Sequence, residues 1–210
     1  MPRKPPLLRV RGLRRKFGDV EVVNGLDFDV RAGKAVALTG RNGSGKSTVL
    51  RCVTGADRPT AGTVELDGVP VDERSPRIRR DLAVVMDDLD FFPDLSVVEH
   101  LDLFAQAHRV ADVEAMVDAV LAEVGLVPQS AQLPGTLSSG QRRRLALASA
   151  FVRPRRLLVL DEPEQRLDRA GLEWLAGRLA DEKSTGLGVL LASHDESLVN
   201  TVVDDVVHLG

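Results

Sequence analysis

Val36 to Thr39 form a short apolar run that leads straight into Gly40-Arg41-Asn42-Gly43-Ser44-Gly45-Lys46-Ser47-Thr48, and a helix is expected from near Gly45 to Gly55. The spacing Gly40-x4-Gly45-Lys46-Ser47 needs each of its parts. The glycines let the backbone wrap a phosphate with its N–H groups pointing inward, and the helix behind adds the positive end of its dipole. Lys46 brings charge to the β- and γ-phosphates of a nucleotide, and the Ser47 hydroxyl suits Mg²⁺. A strand before and a helix after separate this pattern from an ordinary glycine-rich turn. Gly40, Asn42, Gly43, Ser44, Gly45, Lys46, Ser47 and Thr48 are therefore candidate nucleotide-binding residues.

The rest of the chain divides into three parts. In the first, Leu26, Phe28 and Val30 alternate with Asp27 and Asp29, and Thr63–Leu66 runs into the turn signal Asp67-Gly68, so strands dominate. The middle is helical. Ser96 with Glu99 reads as a capping box, and Asp112 opens a helix whose Val113, Met116, Val117, Val120, Leu121 and Val124 share one face, ending at Gly125. A further helix follows Leu137–Gln141. The last part returns to strand–helix alternation: Leu157–Leu160 and Val189–Leu191 are continuous apolar runs, as expected for strands buried on both faces of a parallel sheet. Leu172, Leu175 and Leu179 mark a helix between them.

With 210 residues, one domain with a subdomain is expected. No apolar run approaches the ~18 to 20 residues that cross a bilayer, and no apolar stretch follows the basic Met1–Pro6, so no signal peptide is expected. A net charge of −3 argues against general nucleic-acid binding despite the local Arg142-Arg143-Arg144 and Arg153/Arg155/Arg156 clusters. Cys52, the single cysteine, excludes an intrachain disulfide and reads as a small buried hydrophobe.

Two further places carry chemistry. Asp161 closes the run Leu157–Leu160, which puts its carboxylate at a strand's C-terminal end, where parallel sheets bind ligands and where it can hold Mg²⁺. Read alone, Asp161-Glu162 before Pro163 is also a solvated acidic turn; after a phosphate loop the functional reading prevails. His194 follows Ala192-Ser193 at the end of another buried strand. Alone it would be a hydrogen-bonded structural residue.

A phosphate loop says only that a nucleotide binds. An LSxGQ element, Leu137-Ser138-Ser139-Gly140-Gln141, lying between that loop and an acidic strand end points to one superfamily. From about Leu7 to its last residue the chain resembles the ATP-binding subunit of an ABC transporter. The resemblance implies an α/β fold: a P-loop NTPase (RecA-like) core with an N-terminal antiparallel β subdomain and an inserted α-helical subdomain. Residues 1–210 would form one ABC ATPase domain, with 1–86 and 154–210 as β subdomain plus core and 87–153 as the helical subdomain.

It also implies roles. Glu162 would polarise the attacking water, His194 would donate to the γ-phosphate, and Lys46 completes the catalytic set. Phe17, 23 residues before Gly40, occupies the place of an aromatic that stacks on adenine, although a core role fits it equally. Ser138, Ser139, Gly140 and Gln141 would close the site of a second ATPase subunit in a head-to-tail homo- or heterodimer. ATP and Mg²⁺ are the implied cofactors. A separate transmembrane permease is the implied partner, and the inner face of the cell membrane the implied cytoplasmic location.

The chain departs from the family pattern in three places. Ser139 stands where glycine is usual, tolerable if its backbone angles are ordinary. Asp87 stands where a glutamine that senses Mg²⁺ is usual. It joins Ser47 and Asp161 as a metal candidate, and is expected to make nucleotide closure more Mg²⁺-dependent. Gln165-Arg166 replaces a small serine–alanine pair on a loop that crosses the dimer seam. Asp87, Asp88, Asp90 and Asp94 read either as a solvated acidic loop or as a patch for a partner with basic loops. Two other classes stay open: a non-transport ATPase switch of the same fold, and a nucleotide-binding module of low turnover.

Overall fold

The computed structural model describes residues 5–87 and 90–210. Two sheets share the chain. Strands β1 (Leu8–Phe17), β2 (Val20–Val30), β4 (Ala61–Leu66) and β5 (Val69–Pro70) form an antiparallel sheet in the order β2-β1-β4-β5. Its β4–β5 hairpin turns at Asp67 and Gly68, both at positive φ, as the sequence signal anticipates. The second sheet is wholly parallel, in the order β6-β7-β8-β3-β9, from β6 (Leu82–Val85), β7 (Leu157–Asp161), β8 (Gly188–Ala192), β3 (Ala35–Thr39) and β9 (Asp205–His208).

Every residue of β7 and β8 is buried, because the strands are covered on both faces. Alternate side chains serve different cores. Leu158, Leu160, Val189 and Leu191 face the layer of helices α3 (Val97–Ala107), α4 (Val113–Glu123), α5 (Ser139–Phe151), α6 (Arg169–Ser184) and α7 (Glu196–Val202). Leu157, Val159, Leu190 and Ala192 face α1 (Lys46–Thr54) and the antiparallel sheet. Each fully buried leucine contributes about 1.5–3 kcal/mol, so the parallel sheet is held from both faces.

The helix signals hold locally. Ser96 and Glu99 form the reciprocal capping box of α3, and Asp112 accepts from the Ala115 N–H at the start of α4. On α4, Val117, Val120, Leu121 and Val124 are buried, but Met116 is 39% exposed, because it sits at the margin of that face beside a cleft lined by Arg109 and Arg153. The short helix α2 (Pro76–Asp81), strand β6, helix α7 and the edge strand β9 carry no sequence signal noted above. Cys52 is buried on α1, and burial pushes its thiol up to about 11, so it behaves as the inert hydrophobe expected.

Candidate functional site

The C-terminal ends of β3, β7 and β8 carry the chemistry-bearing residues. After β3 the chain turns at Gly40 (φ 148), where a Cβ would stand 2.3 Å from the Leu209 carbonyl oxygen; only glycine fits. Gly45 then caps α1 without a side-chain hydrogen bond, which leaves the helix's first N–H groups open to an anion. Lys46 is buried, its ammonium donating to the Gly40 and Arg41 carbonyls at 3.0 and 3.3 Å, so it is held over the loop that it serves. Val22, Asn42, Gly43, Gly45, Lys46, Ser47, Thr48 and Glu162 line a groove of about 290 Å³. Its size and its ring of donors suit the phosphates of a nucleotide.

On the other side stands Asp161, the last residue of β7, paired in register with Ala192 of β8. Only 4% of it is exposed, and its Oδ1 has no hydrogen-bond partner. Burial pushes its carboxyl up; the Ser47 hydroxyl pulls it back, while the charges of Glu162 and Asp87 push it further. A buried carboxylate short of donors beside a hydroxyl offers a pair of hard oxygens that fits Mg²⁺. Among the described residues, no group of three His, Cys, Asp or Glu side chains forms a ready metal nest.

Glu162 sits at φ 44, a conformation that costs a non-glycine residue about 1 kcal/mol or more. It persists because both backbone groups are fixed. Its N–H donates to the Ala192 carbonyl at 2.8 Å, and its carbonyl accepts from Arg143 at 2.6 Å. The left-handed turn throws the side chain to the groove. There Oε2 accepts from the Gln165 amide and Oε1 faces His194 Nε2 at 3.4 Å. Lys46, Ser47, Asp161, Glu162 and His194, widely separated in sequence, thus converge on one sheet edge.

Two residues that sequence reasoning missed brace this edge. Arg143 is 3% exposed and donates to the carbonyls of Met86, Asp161, Glu162 and Pro163, tying β6 to β7. Burial lowers its guanidinium. Glu164 accepts from the Ser193 hydroxyl at 2.8 Å and from the His194 N–H at 2.9 Å, which sets the histidine's backbone. Their partners are backbone carbonyls for Arg143 and a hydroxyl with a backbone N–H for Glu164, and no spacing rule announces such contacts.

The remaining candidates stand apart from the groove. Ser138 and Gln141 form a reciprocal capping box at the start of α5, and none of Ser138–Gln141 lines the groove. Ser139, the glycine replacement, is exposed and absent from the positive-φ residues, so its side chain is accommodated. Phe17 is 47% exposed with the Arg15 guanidinium 4.2 Å from its ring centre; it too lies off the groove lining. Asp87 and Arg166, two departures read separately above, face each other at 3.6 Å. Asp90 and Asp94 are exposed, and Asp88 lies outside the described residues.

Comparison with known proteins places this geometry. The ABC transporter family model matches residues 23–165. The Nod factor export ATP-binding protein I of Cupriavidus pinatubonensis is 36% identical over 198 residues, which cover 92% of this chain and 60% of that protein. The SkfA peptide export ATP-binding protein SkfE of Bacillus subtilis is 32% identical, covering 96% of this chain and 84% of its own length. The aliphatic sulfonates import ATP-binding protein SsuB of Pseudomonas putida is 38% identical, covering 95% and 72%. A solved ATP-binding subunit of an ABC transporter superposes with a TM-score of 0.90 at 28% identity, covering 97% of this chain and 85% of that one.

Proposed function

This chain belongs to the ABC transporter family as an ATP-binding subunit, and on that premise we propose that it hydrolyses ATP to power a separate transmembrane permease. The observation that carries the reading is the groove that Glu162 shares with the phosphate loop. Lys46 and the open N–H groups of α1 bind the β- and γ-phosphates. Asp161 and Ser47 hold Mg²⁺, with the charge of Asp87 nearby; when bound, the ion offsets charge on the phosphates. Glu162 takes the proton of the attacking water, and His194, 3.4 Å from it, orients that water and donates to the γ-phosphate. Phe17 receives the adenine ring.

One copy supplies only one wall of this site. Ser138–Gln141 start a 13-residue helix with exposed serines and do not reach the chain's own groove. That supports their closing the groove of a second subunit, head to tail, with the α5 N-terminus toward its γ-phosphate. Residues 87–153 act as the arm that carries Ser138–Gln141, and 1–86 with 154–210 as the part that holds nucleotide. Among the described residues no helix is long and apolar enough to cross a membrane, which supports a separate permease with this chain docked on its cytoplasmic face. The relatives include exporters and importers by name, so the direction of transport belongs to the permease.

The test is the Mg²⁺-dependent ATPase rate per subunit against protein concentration, with Glu162→Gln as the control. The rate should rise with concentration, and the control should lose at least about 100-fold while still binding ATP. Full activity in Glu162→Gln would overturn the assignment of the base. A flat, negligible rate despite ATP binding would overturn the homodimer and require another chain.

A further inference from the structure

We propose that Gln165 and Arg166 are positioning residues for the Glu162 carboxylate, with Arg166 fixed in turn by Asp87; this rests on Glu162 being the base. The loop from Glu162 to Asp168 holds two non-glycine residues in the left-handed region, Glu162 (φ 44) and Arg166 (φ 65). Such conformations persist only where the surroundings over-determine them. Here the Gln165 N–H donates to the Glu162 carbonyl at 3.1 Å, and the Leu167 N–H to that of Glu164 at 3.1 Å. On the α5 side, a Cβ at Gly140 would lie 2.9 Å from the Arg166 carbonyl oxygen, so that carbonyl packs against the helix start.

The side chains extend this frame to the base. Gln165 donates its amide to Glu162 Oε2, leaving Oε1 toward His194. One oxygen is thereby fixed and the other aimed, which is what a carboxylate needs before a water arrives. Arg166 reaches Asp87 at 3.6 Å, and both side chains are nearly half exposed. Such an exposed pair contributes little to stability, so its consequence is placement. It joins the loop to the segment after β6, where Arg143 already holds the Met86 carbonyl at 3.1 Å. Movement of that segment is passed to Glu162 through Arg166 and Gln165. The charges of Asp87 and Arg166 thus offset each other, and the two departures form one device.

The test has a part that needs no turnover. Hydrogen exchange of the 162–167 amides in the isolated chain should quicken about threefold in Asp87→Asn and in Arg166→Met, and no further in the double variant. Unchanged exchange, or additive effects, would overturn the coupling. In the ATPase assay, Gln165→Leu should lower kcat about tenfold with ATP affinity and KM within twofold of wild type. If Gln165→Leu does not fold, Gln165→Asn, whose shorter amide cannot reach Oε2, gives the same reading. An unchanged or raised kcat alongside an inactive Glu162→Gln overturns this inference and leaves the base assignment standing. An active Glu162→Gln overturns the base assignment itself.

Discussion

At the N-terminal end of the parallel sheet, Asp204 lies between Lys34 and Lys183, 2.8 and 2.7 Å from their amines, and accepts the Ala35 N–H at 2.8 Å. Burial pushes its carboxyl up, but these three donors outweigh burial and hold it at about 2. At the C-terminal end, Asp161 is more deeply buried, and one of its oxygens has no donor. There burial prevails, the neighbouring charges of Glu162 and Asp87 add to it, and the carboxyl is raised. One end of the sheet saturates its carboxylate and gains stability; the other leaves its carboxylate wanting and so keeps a place for a cation. The contrast separates the end that holds the fold from the end proposed to bind nucleotide and Mg²⁺.

The largest effect is expected at Gly40, which tests whether the binding end is built by backbone fit as well as by unmet charge. An added methyl would meet the Leu209 carbonyl oxygen at 2.3 Å and the Ser44 hydroxyl at 2.7 Å at a φ of 148°; the hydroxyl can turn aside, but the backbone carbonyl cannot. Gly40→Ala should cost about 3 kcal/mol and abolish ATP binding. Urea unfolding and a nucleotide titration measure the two separately. Wild-type values in both would mean that the loop has slack and that charge alone defines this end.

Asp161→Asn probes the unmet charge directly. A carboxyl whose folded pKa is raised contributes stability only at low pH, and loses it as pH rises through that raised value. At neutral pH Asp161 therefore costs the empty protein stability, and neutralising it should recover about 1 kcal/mol, or about 2–4 °C in Tm. The same substitution should remove the extra stabilisation that Mg²⁺ with ATP confers on the wild type. A lower Tm without nucleotide would show that Asp161 is already compensated, and the contrast between the two ends would fail.

Much of this was legible in the sequence, for reasons that differ by residue. The glycines of Gly40–Gly45 occupy conformations that other residues avoid, so their spacing registers the loop directly. Leu157–Leu160 announced a doubly covered strand because no polar residue interrupts it. Leu82–Val85 went unmarked since four apolar residues after a charged helix fit several structures, and β9 because its exposed positions hide a pattern. Arg143 and Glu164 were invisible because they act on backbone groups brought together only by the fold. Asp87 and Arg166 each look like a lone departure; 79 positions separate them, and only the pairing of β6 with β7 makes them neighbours.

Asp204→Asn gives the decisive sign. A depressed carboxyl contributes stability above its unfolded value, about 3.9, and loses it as pH falls through the folded value of about 2. At pH 7 the contribution is complete. The side chain is 27% exposed, so water screens its two lysine contacts and the loss on substitution should be about 1 kcal/mol. Thermal unfolding at pH 7 and pH 3 should show the variant less stable at the first and closer to wild type at the second. Asp161→Asn and Asp204→Asn should thus shift Tm in opposite directions at pH 7. A common direction would mean that both carboxylates serve the fold alike, and that what distinguishes the two ends is the shape of the loop at Gly40.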